Sequence, residues 1–372
     1  MEKEFLEKVV KIESYRGYNY RLCDIVKVTI LGLFCGLKTI KEIHFWSAQE
    51  IVLRFLQENF SVIRIPCYSH FTVMLSLISS ENLNKIFMEH FGEILRNGAN
   101  KTIAIDGKTV CATANMSHLT KPLHIASAYA TELGITIGQL ATEDKSNEIK
   151  AVQNLIKLLD VSGSLVVADA LNCQKKTAKL IIKGGGDYLL AVKKNHKNLY
   201  EDIAEMIAFK ENDVYEKRNS PLEKVQETEK THGRFEKRQA VVTHDVQWLE
   251  KRDKWINLQT IGAVRTEKET RYYISSRKLT ADELLYFSRN EWQIEKMHWQ
   301  LDVILGEDRC LARDTNVQKT LNILRKTVLN FLSIYKTNSN LKQPMSNIMF
   351  ENLVNLDSFK QHLKNMLACG CF

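Results

Sequence analysis

The sequence predicts a mixed α/β fold: an all-helical N-terminal domain, then a mixed sheet flanked by helices and carrying a β-rich insertion. Three observations lead there. Apolar residues recur at three and four spacing over about the first 98 residues. From 102 onward short apolar runs alternate with glycine and polar clusters, and between 238 and 275 the pattern has a period of two. At 372 residues the chain can form two domains, or one large domain with an insertion.

The helical part rests on Ile40, Ile43 and Phe45, on Ile51, Val52, Phe55 and Leu56, on 71–78, and on Leu83, Ile86, Phe87, Phe91 and Leu95, with a break at Pro66. Arg96-Asn-Gly-Ala-Asn-Lys101 reads as a linker, so a first domain is expected over 1–98. It is either an extra packing layer or a small bundle that places a helix in a DNA groove. Next come a strand at 102–105 and a hairpin from 123–131 and 135–141 around Glu132-Leu133-Gly134. Ser146 can cap a helix carrying Ile149, Val152, Leu155, Ile156 and Leu159. The unbroken apolar run at 165–168 is a strand covered on both faces. A helix through Ala178, Leu180, Ile181 and Ile182 stops at Gly184-Gly185-Gly186, and 188–192 is a further strand. That order makes a mixed sheet with helices packed on it. After a helix at 199–209, a charged stretch and alternating runs at 238–244, 256–265 and 270–275 form the insertion, about 197–279. Thr280-Ala-Asp-Glu283 has capping-box spacing and opens a helical region that runs on through Leu332. The sheet domain is thus expected over 99–340 and a C-terminal tail over 341–372.

Lysine and arginine number 52 against 44 acids, a net charge of +8, with a pI of 8.9. An acidic polymer is a fitting partner. The composition excludes a disordered or collagen-like chain. Eight cysteines, at 23, 35, 67, 111, 173, 310, 369 and 371, form no Cys-x-x-Cys pair, and the opening Met-Glu-Lys-Glu-Phe lacks a signal-peptide pattern. Free thiols in a reducing cytoplasm are expected. The longest apolar run, 25–37, is interrupted by Lys27 and is shorter than the ~20 residues a membrane span needs. It reads as a buried helix.

Two aspartates follow apolar runs, in Thr-Ile-Ala-Ile-Asp106-Gly-Lys and Ser-Leu-Val-Val-Ala-Asp169-Ala. Ligands of open α/β sheets bind beyond such strand ends. A third acid lies downstream in Trp-Gln-Ile-Glu295-Lys-Met-His-Trp-Gln-Leu-Asp302, where Glu295, His298, Trp299 and Asp302 share one helical stripe. Spacing alone leaves Glu295 and Asp302 as equal candidates. Three carboxylates suit magnesium, an oxygen-seeking octahedral ion, and a metal pair about 3.5–4 Å apart serves phosphodiester chemistry. No His/Cys set has zinc spacing. Lys193, Lys194, Lys197, Arg234, Lys237 and Arg238 read as phosphate contacts, against the plainer reading of a solvated face. Lys145 and Glu148 also read as a surface pair at a helix start, and Trp292 and Trp299 as core.

Several words in register carry a resemblance: Ile-Asp106-Gly-Lys108, His124-Ile-Ala-Ser-Ala-Tyr, Lys145-Ser-Asn-Glu148-Ile, Asp169-Ala-Leu-Asn-Cys-Gln174, Gly-Gly-Asp187-Tyr, Lys194-Asn195, His232-Gly-Arg234 with Arg238, and Trp292-Gln-Ile-Glu295 through His298-Trp-Gln-Leu-Asp302-Val with Glu307-Asp308. Spread over about residues 20 to 335, they make the chain resemble bacterial insertion-sequence transposases of the DDE type, in the H-repeat-associated group. The resemblance implies a ribonuclease-H-like sheet, Asp106, Asp169 and Glu295 as catalytic and metal-binding triad, and Mg2+ as cofactor with Mn2+ able to substitute. It selects Glu295 over Asp302. It further implies double-stranded DNA as partner, both element terminal repeats and target, bound by a homodimer. Lys108, Lys145, Lys193, Lys194, Arg234, Arg238 and Arg289 are the expected DNA contacts, and the location is cytoplasmic, on the nucleoid when bound. Cys111 stands where an arginine is frequent, His196 where a glutamine is common, and Ser288 and Glu291 where related groups carry tyrosine and arginine, with Arg289 as the substitute cation. A catalytically inactive DNA-binding derivative and a nuclease that cuts without joining are the alternatives.

Overall fold

Residues 20–96, 101–110, 122–142, 147–212, 222–231, 234–249 and 252–368 are described by the structure, a computed structural model. Five helices open it: α1 (Leu22–Phe34), α2 (Ile40–Ser47), α3 (Glu50–Phe60), α4 (Tyr68–Ser76) and α5 (Ser80–Arg96). The linker at 97–100, the cap residue Ser146 and the Cys369-Gly-Cys371 end lie outside the described residues. Strands β1 (Thr102–Val110), β2 (Leu123–Ala130) and β3 (Ile135–Thr142) follow, then α6 (Glu148–Leu158), β4 (Leu165–Ala168), α7 (Lys175–Lys183), β5 (Asp187–Val192) and α8 (Lys197–Asn212). The insertion holds β6 (Glu223–Thr231), β7 (Arg234–Thr243), β8 (Thr260–Arg265) and β9 (Thr270–Ser275). Helices α9 (Ala281–Val303), α10 (Thr315–Asn338), α11 (Met345–Val354) and α12 (Leu356–Ala368) complete the chain.

Among the described residues the strands join in one nine-stranded sheet, in the order β3-β2-β1-β4-β5-β9-β8-β7-β6. The β1–β4 and β4–β5 pairs are parallel, and the rest are antiparallel. The insertion therefore extends the sheet instead of standing apart: β9 pairs with β5 from Leu189↔Ser275 to Val192↔Tyr272. Strand β6 reads as a merely charged stretch because it is the exposed edge, paired with β7, and Val225 is the apolar side chain it turns to the second core. Strand β4 alternates as its apolar run requires: Val166 and Ala168 enter the main core, Leu165 and Val167 a second core under α9.

Both halves of the Thr280/Glu283 capping box are formed at the start of α9, worth about 1 kcal/mol. Leu284 and Leu285 of this helix pack with Ala240, Val242 and Tyr273. Gly262 on β8 leaves the room: a Cβ there would stand 2.6 Å from a Leu284 methyl carbon. The N-terminal helices share the main core with the sheet. Phe34 stacks on Phe331 of α10 at 6.4 Å between ring centroids, Phe91 meets it tilted at 5.5 Å, and Ile103 and Val166 belong to the same cluster. Among the described residues no helix is long and apolar enough to cross a membrane.

Edge strand β3 is shaped by a bulge at Ala128/Tyr129, where the register skips from Gly138 to Thr136. The side chain of Asn330, on α10, replaces the missing strand partner: its Nδ2 donates to the Thr136 carbonyl at 2.7 Å and its Oδ1 accepts from the Thr136 amide at 2.8 Å. Both backbone groups are buried, so Asn330→Ala leaves two of them unpaired. A loss of roughly 2–4 kcal/mol is expected in urea unfolding.

Candidate active site

The parallel β1–β4 ladder ends at the Ile105↔Ala168 pair. The next residue on each chain is an aspartate, so Asp106 and Asp169 stand side by side at that edge. The expectation that β1 stops at 105 needs correction. Pairing with β2 carries it on through Asp106↔Ser127 to Val110↔Leu123, and only the β4 partner ends. The stripe on α9 crosses the same edge. His298 Nδ1 lies 3.7 Å from Asp106 Oδ2, Glu295 faces Asp106 closely enough to raise its pKa, and Asp302 pairs with Lys108.

Burial first, then the charges of Asp169, Glu148 and Glu295, push the Asp106 carboxyl up to about 7. Glu291, one turn before Glu295, is held up at about 7 by burial and by Asp169 and Asp106, against the pull of Arg271 and Lys193. Its Oε2 is buried and finds no hydrogen-bond donor among the described residues. Burial, with Lys326 and Lys108 nearby, drives His298 down to about 3, so its imidazole is neutral.

Behind the acids lies a polar lattice. Asn172 donates to Asp169 Oδ1 twice, from its backbone N–H and from Nδ2, each at 3.0 Å. The same Nδ2 also reaches Glu148 Oε1 at 3.3 Å. Glu148 Oε2 accepts from His124 Nε2 at 2.8 Å, while Thr109 Oγ1 holds Nδ1 at 2.9 Å. Lys108 is clamped between Asp302 and Glu307. Burial lowers the pKa of its amine, but the two carboxylates outweigh that and hold it above the ordinary lysine value. Buried Lys326 donates to Ser127 Oγ at 2.8 Å and Gln139 Oε1 at 2.6 Å, and its pKa falls to about 7 through desolvation.

The other candidate cations scatter. Lys193 and Lys194 are exposed just past β5, where Asn195 Nδ2 donates to the Ala170 carbonyl at 2.7 Å and His196 Nε2 to that of Cys173 at 2.6 Å. These bonds tie their loop to the one carrying Asp169. Arg238 lies over the Trp292 ring at 5.3 Å, as does Arg271, and Arg289 pairs with Glu227 at 3.3 Å. Arg234 opens β7, its side chain outside the described set, and Lys145 and Cys111 lie outside the described residues. Lys108 is engaged by carboxylates and does not face outward. Trp292 and Trp299, expected in the core, are 45% and 57% exposed, because arginine stacking and a surface groove replace apolar packing. Glu148, also read as one of a surface pair, is buried. Lys326 had a sequence signal, a cation on the apolar face of 321–332, but no partner was readable.

Residues 98–331 match the transposase DDE domain family. Over 349 residues the chain is 32% identical to YhhI of Escherichia coli K12, an H repeat-associated protein whose name places it among transposases; the match covers 89% of this chain and 90% of YhhI. The chain belongs to the H-repeat type of DDE transposase. Protein YbfL of the same strain is equally similar, 32% identical with the same coverage. A cryo-EM structure of a piggyBac transposase synaptic complex with hairpin DNA is 10% identical, covering 96% of this chain and 79% of that one, with a TM-score of 0.48.

DDE transposases use divalent metals, and this transposase gathers carboxylates that raise one another's pKa, with the neutral imidazole of His298 3.7 Å from Asp106. As placed, no three His, Cys, Asp or Glu among the described residues form a ready ligand set.

Gly107 is the tightest point. A Cβ there would lie 2.5 Å from Glu148 Cδ, 2.6 Å from Glu148 Oε2 and 2.7 Å from His124 Nε2, all buried. Gly107→Ala is expected to lower the melting temperature by several degrees, as overpacking does. A second expectation concerns pH. The native pKa of Asp106 lies above its unfolded value of about 4, so the folded state binds the extra proton and loses stability as pH rises from 4 towards 7. In metal-free protein the melting-temperature gain of Asp106→Asn over wild type should be negligible at pH 4 and largest at pH 8. Adding Mg2+ should shrink it.

Proposed function

We propose that this transposase cleaves double-stranded DNA at the ends of its element and joins the freed 3′-hydroxyl to target DNA, with Asp106, Asp169 and Glu295 as the catalytic acids. The observation that carries the reading is the Ile105↔Ala168 terminus of the parallel ladder, which brings two distant aspartates together under the helix that bears Glu295. The strand order β3-β2-β1-β4-β5, antiparallel then parallel, supports a ribonuclease-H-like core extended by the insertion. Asp302 is occupied by Lys108, which leaves Glu295 as the acid of its stripe for the pocket.

Asp106, Asp169 and Glu295 would hold Mg2+, with Mn2+ as substitute, and the bound metal would supply an activated attacking oxygen and charge neutralisation at the phosphate. The protein's own residues do the rest. Asn172 occupies Asp169 Oδ1, so Oδ2 is the oxygen left for the pocket. Neutral His298 sits against Asp106 without cancelling its charge. Lys193 and Lys194, at the lip, are placed to meet phosphates, as are Arg238 and Arg271 around Trp292. Arg289, Arg234 and Lys145 complete the proposed DNA contacts. Pairing two element ends calls for two active sites, hence a homodimer on DNA. A second reading, an inactive DNA-binding derivative, draws on Cys111 and Glu291, which stand where related groups carry arginine.

Asp169→Ala should abolish strand cleavage of end-bearing DNA in Mg2+ or Mn2+ while DNA binding in a mobility-shift assay persists. Near-normal cleavage by this variant rejects the assignment. Wild-type protein that leaves the substrate intact in both metals favours the inactive reading, and cleavage with no joined products favours a plain nuclease.

A further inference from the structure

We propose that Glu148 is a positioning residue of the acid pocket, acting through Asn172 to fix the carboxylate of Asp169. The inference rests on the assignment of Asp169 as a catalytic acid and adds to it a buried acid outside the three.

Glu148 begins α6, where an acid normally meets water, yet it is 3% exposed and sits directly behind the residue that follows Asp106. A buried carboxylate is costly unless both oxygens are bonded. Here they are, on two different elements: Oε2 takes the His124 Nε2 proton from β2, and Oε1 takes an Asn172 Nδ2 proton from the loop after β4. Asn172, itself fully buried, thereby shares one amide group between two carboxylates. Both acceptors demand N–H, so the amide cannot flip. The backbone N–H of Asn172 adds its own bond to the same Asp169 oxygen. Asp169 Oδ1 is thus held by two donors, and Oδ2 keeps one direction. Gly107 confirms that the space is reserved, since any side chain there would collide with Glu148 and His124. If Glu148 served only to cement α6 to β2, the His124 bond would suffice and the link to Asn172 would be superfluous.

Losing a group that orients a metal-binding carboxylate typically weakens metal affinity about 10- to 100-fold. The test uses the full chain and Mn2+ alone as probe, with affinity read by electron paramagnetic resonance and folding by melting temperature. Asn172→Ala, which keeps the backbone bond, and Glu148→Gln should each stay folded and bind Mn2+ about tenfold or more weakly. Because both act through one contact, the double variant should be no weaker than the worse single one. Where DNA cleavage is measured, raised Mn2+ should restore the rate of Asn172→Ala, which a purely structural defect would not allow. Wild-type Mn2+ affinity in Asn172→Ala overturns the inference, whether or not the Glu148 variants fold. If Asp169→Asn has lost Mn2+ in that case, the catalytic assignment still stands. Unchanged Mn2+ binding by Asp169→Asn overturns the assignment and the positioning role together.

Discussion

Two aspartates brought side by side at the end of a parallel ladder repel each other, and the burial that shapes the pocket makes the repulsion stronger. Every feature around β1 and β4 answers to that constraint. Asp106 is held partly protonated near neutral pH, as is Glu291 across the pocket. Such crowding is unfavourable for a resting fold, and natural proteins keep it where a charged ligand is to be bound. The acids are a stored demand for positive charge.

The fold meets that demand from behind without satisfying it from the front. Lys108 spends its charge on Asp302 and Glu307, and Glu307 in turn accepts from Asn322 Nδ2 on α10. Lys326 sits in the same layer, bonded to Ser127, the residue opposite Asp106 in the β1–β2 register. These amines offset part of the negative field of the acids and anchor α10 and the turn after α9 to the sheet. Lys108 and Lys326 are both bonded away from the two aspartates.

Much of this was legible in the sequence where residue type and burial coincide. The apolar runs at 102–105 and 165–168 marked the two strands, and the Thr280/Glu283 pair marked the start of α9. The continuation of β1 was hidden because Asp-Gly-Lys-Thr carries turn chemistry, and only the β2 partner overrides it. Strand β6 was hidden because Val225, amid charged and polar neighbours, gives no apolar alternation to read. In the pocket, the aspartates stood out at the ends of their runs, while spacing did not separate Glu295 from Asp302, and the pairing of Asp302 with Lys108 is visible only in three dimensions. Glu148, Asn172 and His124 were out of reach of any local rule. Each is an ordinary polar residue in sequence, and its meaning comes from three separate segments meeting behind Gly107.

Helix α9 carries one more implication. Its first turns lie on β7 and β8 through Leu284 and Leu285, while Met297 and Leu301 are sunk in the main core and Glu295 looks onto β1. A continuous helix of 23 residues has no joint along its length. Any tilt imposed on the added strands by something pressing on their outer surface must therefore travel down a stiff rod and arrive at the carboxylate as a change in reach. The added strands and Glu295 are borne on one unbroken helix.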